Sequence, residues 1–202
     1  MPPPDPTHRP IVACRIENDG AGTVHLRVYC PRAGASVPLE TCETCAAHIE
    51  LPEGQQGGVV VCGPEGEAAC ERLSEAPPIG ALVTAPLRAI RDNAPLTAAV
   101  TLLAAAGAEP VLVVDASGRC VGALSRTQMV RLAPRAALPG GGQARDAMAE
   151  ATVAVETSSV RDALRTMAAH RLRHIAIVAE DGTPLGSISD VEALRLHTAL
   201  RG

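Results

Sequence analysis

The sequence has no Phe, no Trp and no Lys, and Tyr29 is its one tyrosine. A core without large rings must be packed from Val, Leu, Ile, Ala and Met. Without lysine, Schiff-base catalysis and the phosphate-loop lysine are excluded. The first residues, Met1-Pro2-Pro3-Pro4-Asp5-Pro6, lack the basic and apolar regions of a secretory signal. The longest weakly polar run, Leu96–Ala108, is too short to span a bilayer. These two absences imply a cytoplasmic protein without a membrane partner, in a compartment where thiols stay reduced. Basic excess is missing too. Residues 1–72 carry five Arg against ten Asp and Glu, and residues 73–202 carry thirteen Arg against twelve. Neither half has the positive field that drives phosphate-backbone binding, so a nucleic-acid partner is disfavoured.

What is present divides the chain. Residues 1–10 are Pro-rich and read as a disordered tail. Residues 11–72 hold six of the seven cysteines. Ile11–Ile16 and Thr23–Tyr29 read as strands around an Asn18-Asp19-Gly20 hairpin signal, and Val59–Cys62 reads as a third strand. Residues 73–81, with two prolines and no periodicity, read as a linker.

From residue 82 the chain repeats itself. Gly122 and Gly186 lie 64 residues apart (186 − 122), as do Gly118 and Gly182. Each copy opens on a helical pattern, Leu96, Ala99, Val100, Leu103 or Val160, Ala163, Leu164, Met167, spaced to bury one face. A short apolar strand follows, Val111–Val114 or Ile175–Val178. Then come a turn, Asp115–Gly118 or Glu180–Gly182, a second strand, Cys120–Leu124 or Leu185–Ile188, and a second helix. One such unit leaves a sheet face bare, whereas two units side by side can cover each other. This gives one copy at 82–133, a joint at 134–145 and a second copy at 146–202.

The stretches PLTAAVTLLAAAGAEPVLVVDASGRCVGALSRTQMVRL and SVRDALRTMAAHRLRHIAIVAEDGTPLGSISDVEALRL resemble the tandem CBS (cystathionine-β-synthase-type) domain pair over about 120 of the 202 residues. The resemblance implies a pair of pseudo-symmetric units; with the small β-rich domain read at residues 11–72, the fold class is α+β. The resemblance also implies an adenosine-containing ligand (AMP, ADP or ATP class) between the copies, and a homodimer. Carried onto this sequence, the nucleotide-binding positions are Arg173, His174, Gly186, Ser189 and Glu192 in copy two, with Ser125 and Gln128 in copy one. The family's ribose-binding Asp is replaced by Gln128 and Glu192. A capping reading stands beside the ligand reading, because Ser125-Arg-Thr-Gln128 and Ser189-Asp-Val-Glu192 both fit the capping box at a helix start. For Arg171 and Arg173 the alternative is a solvated surface charge. The basic contact is expected from copy two, since Glu109 and Pro110 hold the equivalent places in copy one.

Cys30, Cys42, Cys45 and Cys62 are spaced C-x11-C-x2-C-x16-C. A C-x2-C knuckle with two strand-end cysteines is the pattern of a zinc ribbon, which would give residues 11–72 a closed structural Zn site and add two negative charges. Cys14, His48 and Cys70 are spare ligands, and Cys120 reads as a small core residue. A redox C-x-x-C is the alternative, weakened by Glu40 and Glu43, whose charges raise nearby thiol pKa values. Buried inert thiols or disulfides are the third reading. No nucleophile elbow, phosphate loop or paired His/Asp set is present, so no enzyme is expected. The chain reads as a regulatory sensor signalling to a protein partner, with a ligand-free dimerisation scaffold or a cysteine-based switch as rivals.

Overall fold

The computed structural model describes residues 8–18, 21–50, 59–62, 77–83, 87–105, 110–125, 128, 130 and 141–199. Residues 1–7 of the expected tail, the tip of the Asn18-Asp19-Gly20 turn and most of the 134–145 joint lie outside these; residues 8–10, expected in that tail, instead open the first strand and pair with Val59–Val61.

The first two strands form where the sequence places them, around the hairpin signal. β1 (His8–Asn18) and β2 (Ala21–Cys30) pair antiparallel from Asn18↔Ala21 to Ile11↔Val28. β3 (Ala35–Pro38) extends this sheet from β2, and the short helix α1 (Leu39–Glu43) follows at once. β4 (His48–Glu50) and β5 (Val59–Cys62) form a small antiparallel pair whose second strand also meets the start of β1. Val28, Cys42 and Val60 are buried together under this layer. Val24, toward the start of β2, is 39% exposed.

Copy one supplies β6 (Leu87–Arg91), α2 (Leu96–Ala105), β7 (Val111–Val114) and β8 (Cys120–Leu124). Copy two supplies β9 (Val153–Val155), α3 (Val160–His170), β10 (His174–Val178), β11 (Pro184–Ser189) and α4 (Asp190–Ala199). The repeat offset holds down to hydrogen-bond register. Val111↔Leu124 and Val113↔Gly122 in copy one become Ile175↔Ile188 and Ile177↔Gly186 in copy two. Even the irregularity recurs, after Val113 and after Ile177. In both turns a glycine, Gly118 or Gly182, sits at φ 86°, a left-handed conformation that other residues adopt only at a cost. Most of each predicted helical face is buried, Leu96, Ala99 and Leu103 in α2 and Val160, Ala163 and Met167 in α3; Val100 and Leu164 are only partly buried, and Leu102 is buried in addition. Ser159 caps α3 by accepting from the Asp162 amide at 3.1 Å.

Two features depart from the expected organisation. First, the cysteine-bearing strands do not stand apart from the repeats. β1 pairs in parallel with β6, Cys14↔Leu87 through Glu17↔Ile90, so that β3-β2-β1-β6-β7-β8 is one continuous sheet. The edge of β6 is a row of unpaired backbone groups, and β1 satisfies it. The separate zinc-ribbon architecture expected for 11–72 is therefore not what these strands build.

Second, the stretch expected as a linker contains core. Ile79 is fully buried in a 3-10 turn (Ile79–Leu82), and with Val83 it packs into copy two against Val160, Ile177 and Ile188. Its backbone is fastened there by Ile79 N–H to the Ser158 carbonyl and Gly80 N–H to the Glu156 carbonyl. The reciprocal turn, Ala144–Asp146, packs with Ala147 and Met148 into copy one. Each copy thus borrows the segment that leads into the other. Leu112 and Ala176 join the two sheets across the middle, with Ile16 of β1 in the same cluster.

Candidate functional site

The first candidate is a cleft between the copies. It has a volume of about 400 Å³ and takes wall residues from both. Copy one contributes Pro110, Leu112 and Ala123 through Ser125, followed by Gln128. Leu172, His174 and Ala176 come from copy two, and Ala149, Glu150 and Thr152 from the segment entering β9. An antiparallel bridge between Ala123 and Ala149, bonded both ways at 2.9 and 3.0 Å, holds β8 to that segment.

The chemistry of this wall is mixed. Most of it is aliphatic, as a chain without Phe or Trp requires. The polar groups are Ser125, Gln128, Glu150, Thr152 and His174. Ser125 and Gln128 are also bound to each other's backbone. The Ser125 amide donates to Gln128 Oε1 at 2.7 Å, and the Gln128 amide donates to Ser125 Oγ at 3.3 Å. This is the capping box anticipated from the sequence. In copy two the Glu192 amide donates to Ser189 Oγ at 3.2 Å.

The site residues expected from the sequence divide between the copies in an unexpected way. Ser125, Gln128 and His174 line the cleft together. Arg173, Gly186, Ser189 and Glu192 are not among its described lining. Arg173 is exposed, and its carbonyl accepts from the Asp190 amide at 2.9 Å. Gly186 pairs with Ile177 inside the sheet. Arg171, at φ 54°, terminates α3 in a left-handed turn and is exposed. The cleft therefore combines the Ser/Gln pair of one copy with the histidine of the other. Glu150 and Thr152 carried no motif and were missed.

The second candidate lies among the N-terminal strands. Cys30 at the end of β2, Cys42 in α1, Cys45 just beyond it and Cys62 at the end of β5 all line one small cavity, of about 30 Å³, with Val28 and Val60. Burial pushes the Cys42 thiol up to about 11, and the neighbouring Cys30, Cys62 and Cys45 add to the shift. The Cys42 thiol is therefore protonated near neutrality unless a cation joins it. Among the described residues, no group of three or more His, Cys, Asp and Glu side chains is arranged to hold a metal ion. Of the spare ligands, Cys14 and His48 fall in β1 and β4, and Cys70 lies outside the described residues. Cys120, expected in the core, is half-buried on β8, and burial raises its pKa. Among the described residues, no helix is long and apolar enough to cross a membrane.

Comparison with known proteins agrees with this geometry. The family model for the CBS domain matches residues 144–197. No curated protein sequence matches the chain significantly. Among solved structures, the chain is similar to the cystathionine β-synthase pair domain of a putative Mg2+ transporter from Shewanella oneidensis MR-1, with TM-score 0.54, 13% identity, and coverage of 69% of this chain and 82% of that one. It is similar to a CBS domain protein from Pyrobaculum aerophilum complexed with AMP, with TM-score 0.51, 21% identity, and coverage of 60% and 98%. It is also similar to CBSX2 in complex with AMP, with TM-score 0.51, 18% identity, and coverage of 62% and 98%. At these identities the likeness establishes the fold, which is that of a CBS-domain pair.

Proposed function

We propose that the chain is a regulatory module rather than an enzyme, and that its inter-copy cleft binds an adenosine-containing ligand of the AMP, ADP or ATP class. The observation that carries this reading is the composition of the cleft. A space of about 400 Å³, within the range of small-molecule sites, is walled by aliphatic side chains with a few polar groups at its rim. Leu112, Ala123 and Ala176 would hold the base, Gln128 and Ser125 would meet the ribose hydroxyls, and His174 would face the phosphate. The expected site is thereby reassembled across the two copies. Arg173 and Glu192, which lie outside the described lining of the cleft, would be more remote contacts, and Gly186 and Ser189 belong to β11, which leads into the helix bearing Glu192. Two solved structures of the same fold contain AMP.

A ligand touching both copies would change the relation between them, and a protein partner would read that change. Val130 and Leu194, one repeat apart, are 76% and 54% exposed on corresponding helices. Apolar residues repeated on equivalent surfaces suit a homodimer. No membrane or nucleic-acid partner is invoked, and a cytoplasmic location fits the reduced thiols.

The experiment is thermal unfolding of the full chain with AMP, ADP, ATP and S-adenosylmethionine. A ligand at a hundredfold excess over its dissociation constant adds about 2.7 kcal/mol to the folded state, a shift of several degrees. No shift at millimolar nucleotide sinks the reading. One observation favours the scaffold alternative: Gln128 already spends its side-chain oxygen on the Ser125 amide. In that case the chain dimerises but takes no nucleotide.

A further inference from the structure

Four cysteines from separate stretches of chain face one cavity, and the sequence spacing had singled out the same four. We infer that Cys30, Cys42, Cys45 and Cys62 form a binding site for a thiophilic divalent cation of the zinc class, and that the bound ion clamps β3 and α1 against copy two.

The local backbone suits such a site. The Gly34 amide closes a turn on the Cys30 carbonyl at 2.9 Å, with Gly34 at φ 66°. A second turn, Cys45 N–H to the Cys42 carbonyl at 3.1 Å, brings the two knuckle cysteines to one side. The cavity they face admits one small occupant. Zinc–thiolate bonds of about 2.3 Å set the sulfurs about 3.8 Å apart in a tetrahedron. The side chains as placed have not closed to that cage. Binding would require the four side chains to close around the ion. Four thiolates leave no open coordination position, so the ion would be structural rather than catalytic. Each ligand must lose its proton on binding, so loading releases protons to solvent.

The clamp has a specific object. Cys30 is in register with Ala35, the first residue of β3, and Cys42 lies in α1, which follows Pro38 at the end of β3. An ion holding both would tie β2 to α1 on either side of β3. Between them Ser36 donates its amide to Glu156 Oε2 at 2.7 Å. The ion would therefore act at a distance, on the contact between the N-terminal layer and copy two.

The test uses the purified full chain. Mass spectrometry of metal content should give one zinc per chain, removable by chelator together with a thiol reagent. Removal should lower the unfolding midpoint by roughly 5 °C or more. Cobalt(II) added to the metal-free chain should give the intense visible bands and near-ultraviolet charge transfer of a tetrahedral thiolate site. The double variant Cys42→Ser, Cys45→Ser should lose both, whereas Cys120→Ala keeps them. Hydrogen exchange at the Ser36 amide should speed up on metal removal and slow again on reloading. The proposal is overturned if cobalt gives only the weak spectrum of an octahedral hydrated ion. It is equally overturned if the native chain carries no metal and all four thiols alkylate without change in midpoint, or if Cys42 and Cys45 are found as a disulfide.

Discussion

The Ser36 amide donates to Glu156 Oε2 at 2.7 Å across 120 residues of chain, and Glu156 is only 1% exposed. This bond fastens the N-terminal layer to the junction between β9 and α3. A buried carboxylate must be hydrogen-bonded, and truncating it leaves both a cavity and an orphaned amide. Glu156→Ala should destabilise the chain by about 3 kcal/mol, and Glu156→Gln, which keeps an acceptor, by about 1 kcal/mol. Urea unfolding of the two variants checks the order. Equal losses would show that shape, not hydrogen bonding, holds the contact.

Gly80 lies against the same junction. A Cβ built there would sit 2.6 Å from Glu156 Cβ and 3.1 Å from its carbonyl oxygen. The neighbour is backbone and a β-carbon, so neither can swing aside. Gly80→Ala should cost about 1–3 kcal/mol through overpacking. A Cβ at Gly118 would meet nothing within 4 Å, so Gly118→Ala should lose only the smaller penalty of its positive φ. Denaturant midpoints of the two variants give the comparison.

Asp115 makes the copy-one turn sensitive to acid. The Ser117 hydroxyl, helped by the Arg119 and Ser117 amides and the Arg119 side chain, holds its carboxyl at about 2 against an ordinary 3.8. A carboxyl lowered on folding adds stability above its unfolded value and loses it as pH falls through the folded one. The contribution should be intact above pH 4 and disappear between pH 4 and 2. Asp115→Asn should therefore be less stable than the parent at pH 6, with the gap closing toward pH 2. Unfolding curves across that range measure it.

The capping box and the cleft can be separated by substitution. Ser125→Ala removes the cap and should cost about 1 kcal/mol whether or not nucleotide binds. Gln128→Glu keeps an acceptor for the Ser125 amide and adds a carboxylate for ribose hydroxyls. If the cleft is a nucleotide site, this variant should raise AMP affinity severalfold with little change in stability. Calorimetric titration decides it, and an unchanged affinity would leave Gln128 as a cap alone.

The repeat was legible because both copies obey one local rule. Two helical faces, two apolar strands and two glycine turns recur at a single offset, and the hydrogen-bond register preserves it. Ser125 and Gln128 were legible as a cap, and the four cysteines as a group, because spacing along the chain carries both signals. What could not be read was non-local. β1 and β6 pair in parallel between Cys14 and Leu87, and a parallel partner leaves no turn to announce it. Ile79 sits in a stretch with two prolines and no periodicity, yet it is fully buried. Glu156 looks like any surface carboxylate until β3 covers it. The cleft joins Ser125 and Gln128 of one copy to His174 of the other, three of the positions that the resemblance implied.

The parallel seam between β1 and β6 also sets a timetable. As the chain leaves the ribosome, the β1–β2 hairpin can form at once, because its partners are neighbours. The other edge of β1 must wait until β6 has emerged, with Leu87 73 residues after Cys14 (87 − 14). At synthesis rates of about 5–20 residues per second that interval is several seconds, during which a bare strand edge is open to other nascent chains. Copy one then closes the edge from within the same molecule. β1 thus waits for a partner from the repeat that follows it, and that repeat shields its edge from aggregation.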